Sequence, residues 1–323
     1  MKKLLSLIVL LATPVLAAQP FEVIPSVGAT GTIIFLKGAP DTARGVRFNG
    51  IEAALVTTTP QGLIATVPQL PNGFYDVSAV SPDGSLVTAK SAFEYRTLFD
   101  PRDYARVLFP LVFAGPGAGG SQWTSDNRVV NNAPIPMRTI PNIWLPSGIG
   151  TVMPDAIPAG AEAALGTRDR DIGALLLIPR GLEPYADFSS HFRDLSKQAE
   201  SLGTELRVVF EKDTADVVRI VRIPADARFR PRLRVYDIDG NEQPVTVEIR
   251  ASGVLLAKST VTPRRSFVCV TVPCEDAAYA SLDFPMSSSV DVIVQGEKGR
   301  RLWAFVSITN NATQQVTTYS PQR

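Results

Sequence analysis

Residues 232–250 read RLRVYDIDGNEQPVTVEIR. Charged and apolar residues alternate through Arg232-Leu233-Arg234-Val235, and polar and apolar ones through Val245-Thr246-Val247-Glu248-Ile249-Arg250. Alternation at period 2 puts one face on a core and the other in water, so each run is a half-buried β-strand. Asp239-Gly240 between them is a hairpin turn signal and predicts that the two strands pair directly. The same alternation returns at Val268-Cys269-Val270-Thr271-Val272, and a second turn signal, Pro82-Asp83-Gly84, separates DVSAV from SLVTA. Only residues 159–165 and 192–202 are compatible with helix, the second ended by Gly203. The 26 prolines and 23 glycines favour many short elements joined by turns. The expected fold is therefore all-β, a tandem of immunoglobulin-like β-sandwiches.

The chain opens MKKLLSLIVLLATPVLAAQP. Lys2 and Lys3 precede an apolar run too short to span a bilayer, followed by small residues. This is the pattern of a secretory signal peptide cleaved near Ala17 or Ala18, and it predicts a secreted or periplasmic protein. No later apolar run is long enough to cross a membrane. A net charge of +1 gives no electrostatic case for nucleic acid. The 323 residues suggest two or three domains. The expected boundaries are 1–18 for the leader, 19–97 for a first domain, 103–212 for a second and 213–323 for a third.

The first domain carries a specific resemblance. Gly73 to Tyr95 reads GFYDVSAVSPDGSLVTAKSAFEY: glycine-x-tyrosine-x-valine, a proline-aspartate-glycine turn, then phenylalanine-x-tyrosine. Pro25, Gly28, Thr32-Ile33, Gly38, Val46-x-Phe48-x-Gly50 and Thr66-Val67-Pro68 fit as well. Together these resemble the IPT/TIG family, an immunoglobulin-like sandwich found in cell-surface proteins and as an accessory unit of carbohydrate-active enzymes. One departure is Gly38-Ala39-Pro40-Asp41, where the family often has an aromatic. The resemblance implies extracellular interaction and no activity. Residues beyond it resemble secreted bacterial β-sandwich proteins of no assigned activity. Two segments there echo each other, ending in Asn131-Asn132-Ala133 and Asn310-Asn311-Ala312, turns in which asparagine tolerates a left-handed conformation.

Gly115 to Gln122, GPGAGGSQ, fits the spacing G-x-G-x-x-G and nearly a Walker loop. No helix pattern follows it, no acidic residue stands about twenty positions on, and the Walker lysine is a serine. The loop is expected to join two strands, with Trp123 as a core anchor. His191 is the only histidine; Ser189 and Ser190 beside it in sequence do not make a triad, and zinc hydrolysis lacks ligands. Asp237, Asp239 and Asn241 place oxygen ligands at alternate positions, as calcium loops do, but an Asp-Gly turn explains them without metal. Glu162, Asp169, Asp171, Glu183 and Asp187 are the carboxylates open to glycosidase work in the middle region, none paired at a known separation. Cys269 and Cys274 stand as a possible disulfide: an export compartment permits one, a straight strand forbids it, and a bend at Val272-Pro273 would bring the sulfurs together. No cofactor is expected.

The remaining candidates are ligand surfaces. Arg228, Arg230, Arg232 and Arg234 stand at strict period 2, which projects four guanidinium groups from one strand face. That is either a stripe for an acidic polysaccharide or a solvated face balanced by acids on neighbouring strands. Trp144 is either a loop aromatic able to stack on a sugar or a core residue. The expected function is a non-enzymatic secreted or cell-envelope protein that binds, adheres or spaces, with a protein or polysaccharide partner. The alternatives are a carbohydrate-active enzyme with its site in 103–212, and a structural subunit exposing an apolar patch or an unpaired edge strand.

Overall fold

The computed structural model describes residues 20–98, 100–117, 120–140, 144–146, 156–166, 172–198, 203–264, 278–283 and 287–321. These are β-rich throughout and divide into two units, Met1–Thr97 and Leu98–Arg323. The leader and both cysteines lie outside the described residues.

The first unit contains β1 (Glu22–Ile24), β2 (Val27–Gly28), β3 (Ile33–Lys37), β4 (Gly45–Phe48), β5 (Ile51–Glu52), β6 (Val56–Thr59), β7 (Gly62–Thr66), β8 (Gly73–Val80) and β9 (Leu86–Tyr95). They form two sheets, in the orders β1-β3-β7-β6 and β2-β9-β8-β4-β5. The Pro82-Asp83-Gly84 signal is a hairpin: β8 and β9 pair from Val80↔Leu86, and Asp83 Oδ1 accepts the Ser85 amide at 2.9 Å. Val46, Phe48, Phe93 and Tyr95 are all buried between the sheets, and Phe48 meets Phe93 edge to face at 5.4 Å. The apolar residues Val46, Phe48, Val67, Tyr75, Val77, Phe93 and Tyr95 of the resemblance are thus core residues of a β-sandwich.

The second unit begins with β10 (Tyr104–Val112), β11 (Ala114–Pro116), β12 (Gln122–Asn131), β13 (Trp144–Pro146), β14 (Glu162–Leu165), β15 (Ile172–Pro179), β16 (Ala186–Asp194), the single-turn helix α1 (Leu195–Gln198), β17 (Thr204–Glu205) and β18 (Val209–Phe210). It continues with β19 (Val217–Ala225), β20 (Phe229–Asp237), β21 (Val245–Ala251), β22 (Val254–Val261), β23 (Ala278–Asp283), β24 (Ser287–Gln295), β25 (Leu302–Asn310) and β26 (Val316–Tyr319). One pair of sheets has the orders β15-β10-β18 and β13-β14-β12-β16-β17, with β11 added to β12; the other has β19-β24-β21-β22 and β23-β20-β25-β26. No described sheet mixes strands from before and after residue 212. A shared apolar cluster joins them instead: Leu108, Leu111, Leu175, Leu206 and Val209 pack on Tyr236, Trp303 and Phe305.

Strand β20 explains how. Leu233 and Val235 face the core of their own sandwich, with Val247 and Val292. Tyr236, one residue on, projects from the opposite face and is buried against the neighbouring sandwich. Its hydroxyl donates to the carbonyl of Pro110. The sheet holding β20 is therefore covered on both faces over part of its length.

Three expectations are corrected. Asp239-Gly240 does not close a hairpin: β20 pairs with β23 and β25, whereas β21 pairs with β22 and β24, so the turn carries the chain from one sheet to the other. Residues 159–165 are not helical. Between Gly160 and Gly166 only a short run is left, and it pairs with β12 as β14, burying Ala163 and Leu165 in alternation. Residues 192–194 continue β16, and helix is confined to α1 within the described part of 192–202. Strand β22, at the edge of its sheet, exposes Val254, Leu255 and Leu256. No described helix is long and apolar enough to cross a membrane.

Candidate functional site: a groove between two sandwiches

The site begins where β10 leaves its sheet. Pro110 has no amide to give the ladder, and the β10–β15 register shifts between Phe109 and Val112. The chain crosses to the other sheet as β11, and polar side chains of β12 replace the lost ladder bonds. Asn127 Nδ2 donates to the Leu111 carbonyl at 3.0 Å. The Phe113 amide donates to Ser125 Oγ at 2.9 Å, and Ser190 Oγ donates to Asn127 Oδ1 at 2.6 Å. Ser125, Asn127 and Ser190 are buried, so these bonds also meet their own need for partners.

The glycine-rich loop follows. Ala114–Pro116 pairs with Gln122–Thr124, so the loop is a turn between two strands, with the Gly117 amide bonded to the Ser121 carbonyl at 2.8 Å. A Cβ on Gly117 would fall inside van der Waals contact of Ser121 Oγ and of Trp123 Cδ1 and Nε1. The glycine lets the loop lie directly against the indole. Trp123 Nε1 donates to Ser121 Oγ at 2.8 Å, and its ring stacks on Phe192 at 4.7 Å with an 11° tilt. Trp123 is half-buried rather than a core anchor. Asp194 holds the start of β12 beside it, accepting the Gln122 amide at 2.9 Å. Burial raises the Asp194 pKa, but hydrogen bonds from Ser196 and from the Gln122 amide outweigh it and hold the carboxyl below its ordinary value.

Opposite this aromatic pair stands the outer end of β20. Arg230, Arg232 and Arg234 line a cavity of about 470 Å³ together with Trp123, Phe192 and Phe305. Arg230 is exposed and donates to Gln314 Oε1 at 2.7 Å. Arg234 is 7% exposed, donates to Ser307 Oγ at 2.8 Å and lies 5.4 Å from the Phe305 ring centroid. Ser307, Thr309, Gln314 and Thr318 complete the polar side, and the described lining residues include no Asp, Glu or His. Arg228 is not part of the groove. It precedes β20 and forks onto Asp226 at 2.8 and 2.9 Å, a hydrogen-bonded pairing that lowers the Asp226 pKa to about 2.

The other candidates are dispersed. Trp144 is in β13, paired opposite Leu165, rather than in a loop. Asp237 is buried and bonds Arg300 at 2.6 and 3.0 Å; Asp239 is bonded by Arg301; Asn241 offers its carbonyl to Arg300. The oxygen pattern read as a calcium loop faces guanidinium groups. Among the described residues no group of three or more His, Cys, Asp or Glu converges as a metal site. His191 sits opposite Asp126 and Glu205 on one face of β16, while Ser190 points to the other. Glu162 bonds Arg128 at 2.5 Å and Glu183 takes the Gly181 amide, while Asp169 and Asp171 lie outside the described residues. Asn131 and Asn310 share one turn chemistry: each Oδ1 accepts the amide two residues on, at 3.0 and 2.9 Å. The sequence missed Phe192, whose alternation with Ser190 and Asp194 was the strand signal available.

No family model and no curated protein matches the chain. Among solved structures it is similar to a mixed-linkage glucan utilization locus SGBP-B of Bacteroides ovatus, in complex with a mixed-linkage heptasaccharide, at 12% identity over 84% of this chain and 71% of that one, with a TM-score of 0.23. It is also similar to an auxiliary nutrient binding protein of Bacteroides ovatus, at 15% identity over 50% and 38% of the two chains and a TM-score of 0.20. A gamma-CGTase from alkalophilic Bacillus clarkii is matched at 17% identity over 60% and 24%, with a TM-score of 0.20. At such TM-scores these likenesses carry no functional argument.

Proposed function

We propose that this chain is an exported, non-enzymatic binding protein whose groove takes a segment of polysaccharide, with the N-terminal unit as an IPT/TIG-type accessory or spacer. The observation that carries the reading is the stacked Trp123–Phe192 pair set across from the polar side chains of β20, β25 and β26. A sugar ring has an apolar face and a rim of hydroxyls. An aromatic wall and a few convergent donors and acceptors are the chemistry that matches both. Export rests on the basic-then-apolar start of the chain.

Among the described residues no carboxylate lines the groove. A second cavity of about 460 Å³ is lined by Asp187 and Glu205. Glu205 pairs with His191, four residues along β16 from Asp187, or roughly 13 Å of strand. Asp187 is held by Asn132 Nδ2 at 2.8 Å.

The test is binding of the purified protein, exported by its own leader, to an array of neutral and acidic polysaccharides. Binding that weakens at least tenfold in Trp123→Ala supports the reading. Absence of binding to every polysaccharide, or binding indifferent to Trp123→Ala, overturns it.

A further inference from the structure

We infer that the groove selects an anionic polysaccharide, one bearing carboxylate or sulfate groups, and that Arg230 is the residue that reads the charge. The inference rests on the binding reading above and narrows its ligand class.

Several arginines elsewhere in this unit are matched with carboxylate, although among the described residues the exposed Arg219 and Arg222, away from the groove, are not. Arg228 has Asp226, Arg250 has Glu248, Arg207 has Asp213, Arg300 has Asp237 and Arg301 has Asp239. Two of these are neighbours at i±2, Arg250 with Glu248 along β21 and Arg228 with Asp226 in the turn before β20. Arg230 cannot use that device, because its i±2 neighbours are Arg228 and Arg232. Its partner is the neutral amide oxygen of Gln314, and it forms no ion pair among the described residues. Asp283 stands opposite Arg232 in the β20–β23 register, whereas the residue opposite Arg230 on β25 is Thr309. Positions two apart on a strand are about 7 Å apart, so Arg230, Arg232 and Arg234 bring three like charges along one wall. A guanidinium fork matches the two oxygens of a carboxylate or sulfate, which a hydroxyl does not offer. The stacked Trp123–Phe192 wall across the groove favours a sugar ring over an acidic peptide.

The experiment measures affinity for polygalacturonate, alginate and chondroitin sulfate, for the carboxyl-reduced forms of the two uronates, and for polyglutamate. Each is measured at about 50 mM and about 500 mM salt, the higher concentration screening charge over a few ångströms. At least one acidic polysaccharide is expected to bind tenfold or more tighter than its neutral counterpart. That binding should weaken with salt. Arg230→Gln should lose roughly tenfold to a hundredfold with its melting temperature unchanged. Arg228→Ala, outside the groove, should bind as the parent does. Equal binding of acidic and reduced forms, or an Arg230→Gln protein that binds as the parent does, overturns the inference and leaves the polysaccharide reading standing. Polyglutamate binding without polysaccharide binding assigns the groove to an acidic protein and overturns both. No binding to any acidic probe overturns the anionic ligand whatever neutral glycans do.

Discussion

Replacing Arg300 with methionine should be among the most destabilising single changes in the second unit. The Arg300 side chain is 7% exposed and that of Asp237 is 0% exposed. Nε and Nη2 both bond Asp237 Oδ2, and Nη1 donates to the carbonyls of Gln243 and Pro244 at 3.2 and 3.1 Å. Arg300 therefore pins the segment that carries the chain between the two sheets of the C-terminal sandwich. Methionine fills much of the volume but leaves a buried carboxylate without its counter-charge. Breaking such a pair on one side costs about 3–5 kcal/mol. In a unit of this size each kcal/mol moves Tm by about 2–4 °C, so a drop of about 6–20 °C follows. Urea unfolding at neutral pH and calorimetry measure it directly. Arg300→Met with Asp237→Leu removes both charges and should recover most of the loss, because the penalty is the stranded charge and not the missing attraction. A single-variant loss below about 1 kcal/mol, the worth of an exposed pair, would refute the reasoning. So would a double variant no more stable than Arg300→Met.

Two further changes probe the groove. Gly117→Ala puts a methyl where the indole of Trp123 lies; polysaccharide binding should fall at least tenfold while Tm moves by only a few degrees, and unchanged affinity would mean the loop does not set the indole. Asp194→Asn removes a carboxylate whose pKa is depressed in the fold by Ser196 and Gln122. A depressed folded pKa means stability present above the unfolded value of about 3.9 and lost as pH falls through the folded one. The variant should thus be less stable by about 1–2 kcal/mol at pH 7, and the gap should close below about pH 4. Unfolding curves across that range decide it, and a gap that widens in acid would contradict the assignment.

Local alternation made the strands legible, because period 2 depends only on which side of a sheet a residue occupies. Pairing was less legible. An Asp-Gly turn bends the chain equally well within a sheet and between sheets, so Asp239-Gly240 could not announce which it joined. Residues 159–165 misled in the opposite direction: alanine and glutamate favour helix as isolated residues, but four of them between glycines cannot meet the cost of nucleation, and β12 offered a ladder. Asp237 and Asp239 looked like metal ligands because their partners, Arg300 and Arg301, lie some sixty residues on and meet them only in the fold.

The arginine stripe shows what was written in the sequence but not in any one strand. On a single face, β20 runs Arg230, Arg232, Arg234, Tyr236, from exposed to buried. Antiparallel to it, β25 runs Trp303, Phe305, Ser307, Thr309 on the matching face. The register sets Tyr236 opposite Trp303, Arg234 opposite Phe305, Arg232 opposite Ser307 and Arg230 opposite Thr309. Both strands change from aromatic to polar at the same level. A solvated face has no reason to become aromatic halfway along, and a fully covered face has no reason to become charged. Two paired strands with the same change at the same height require a neighbour that covers one end and stops. Here that neighbour is the cluster around Leu108, Leu111 and Leu206, and the place where it stops is the groove.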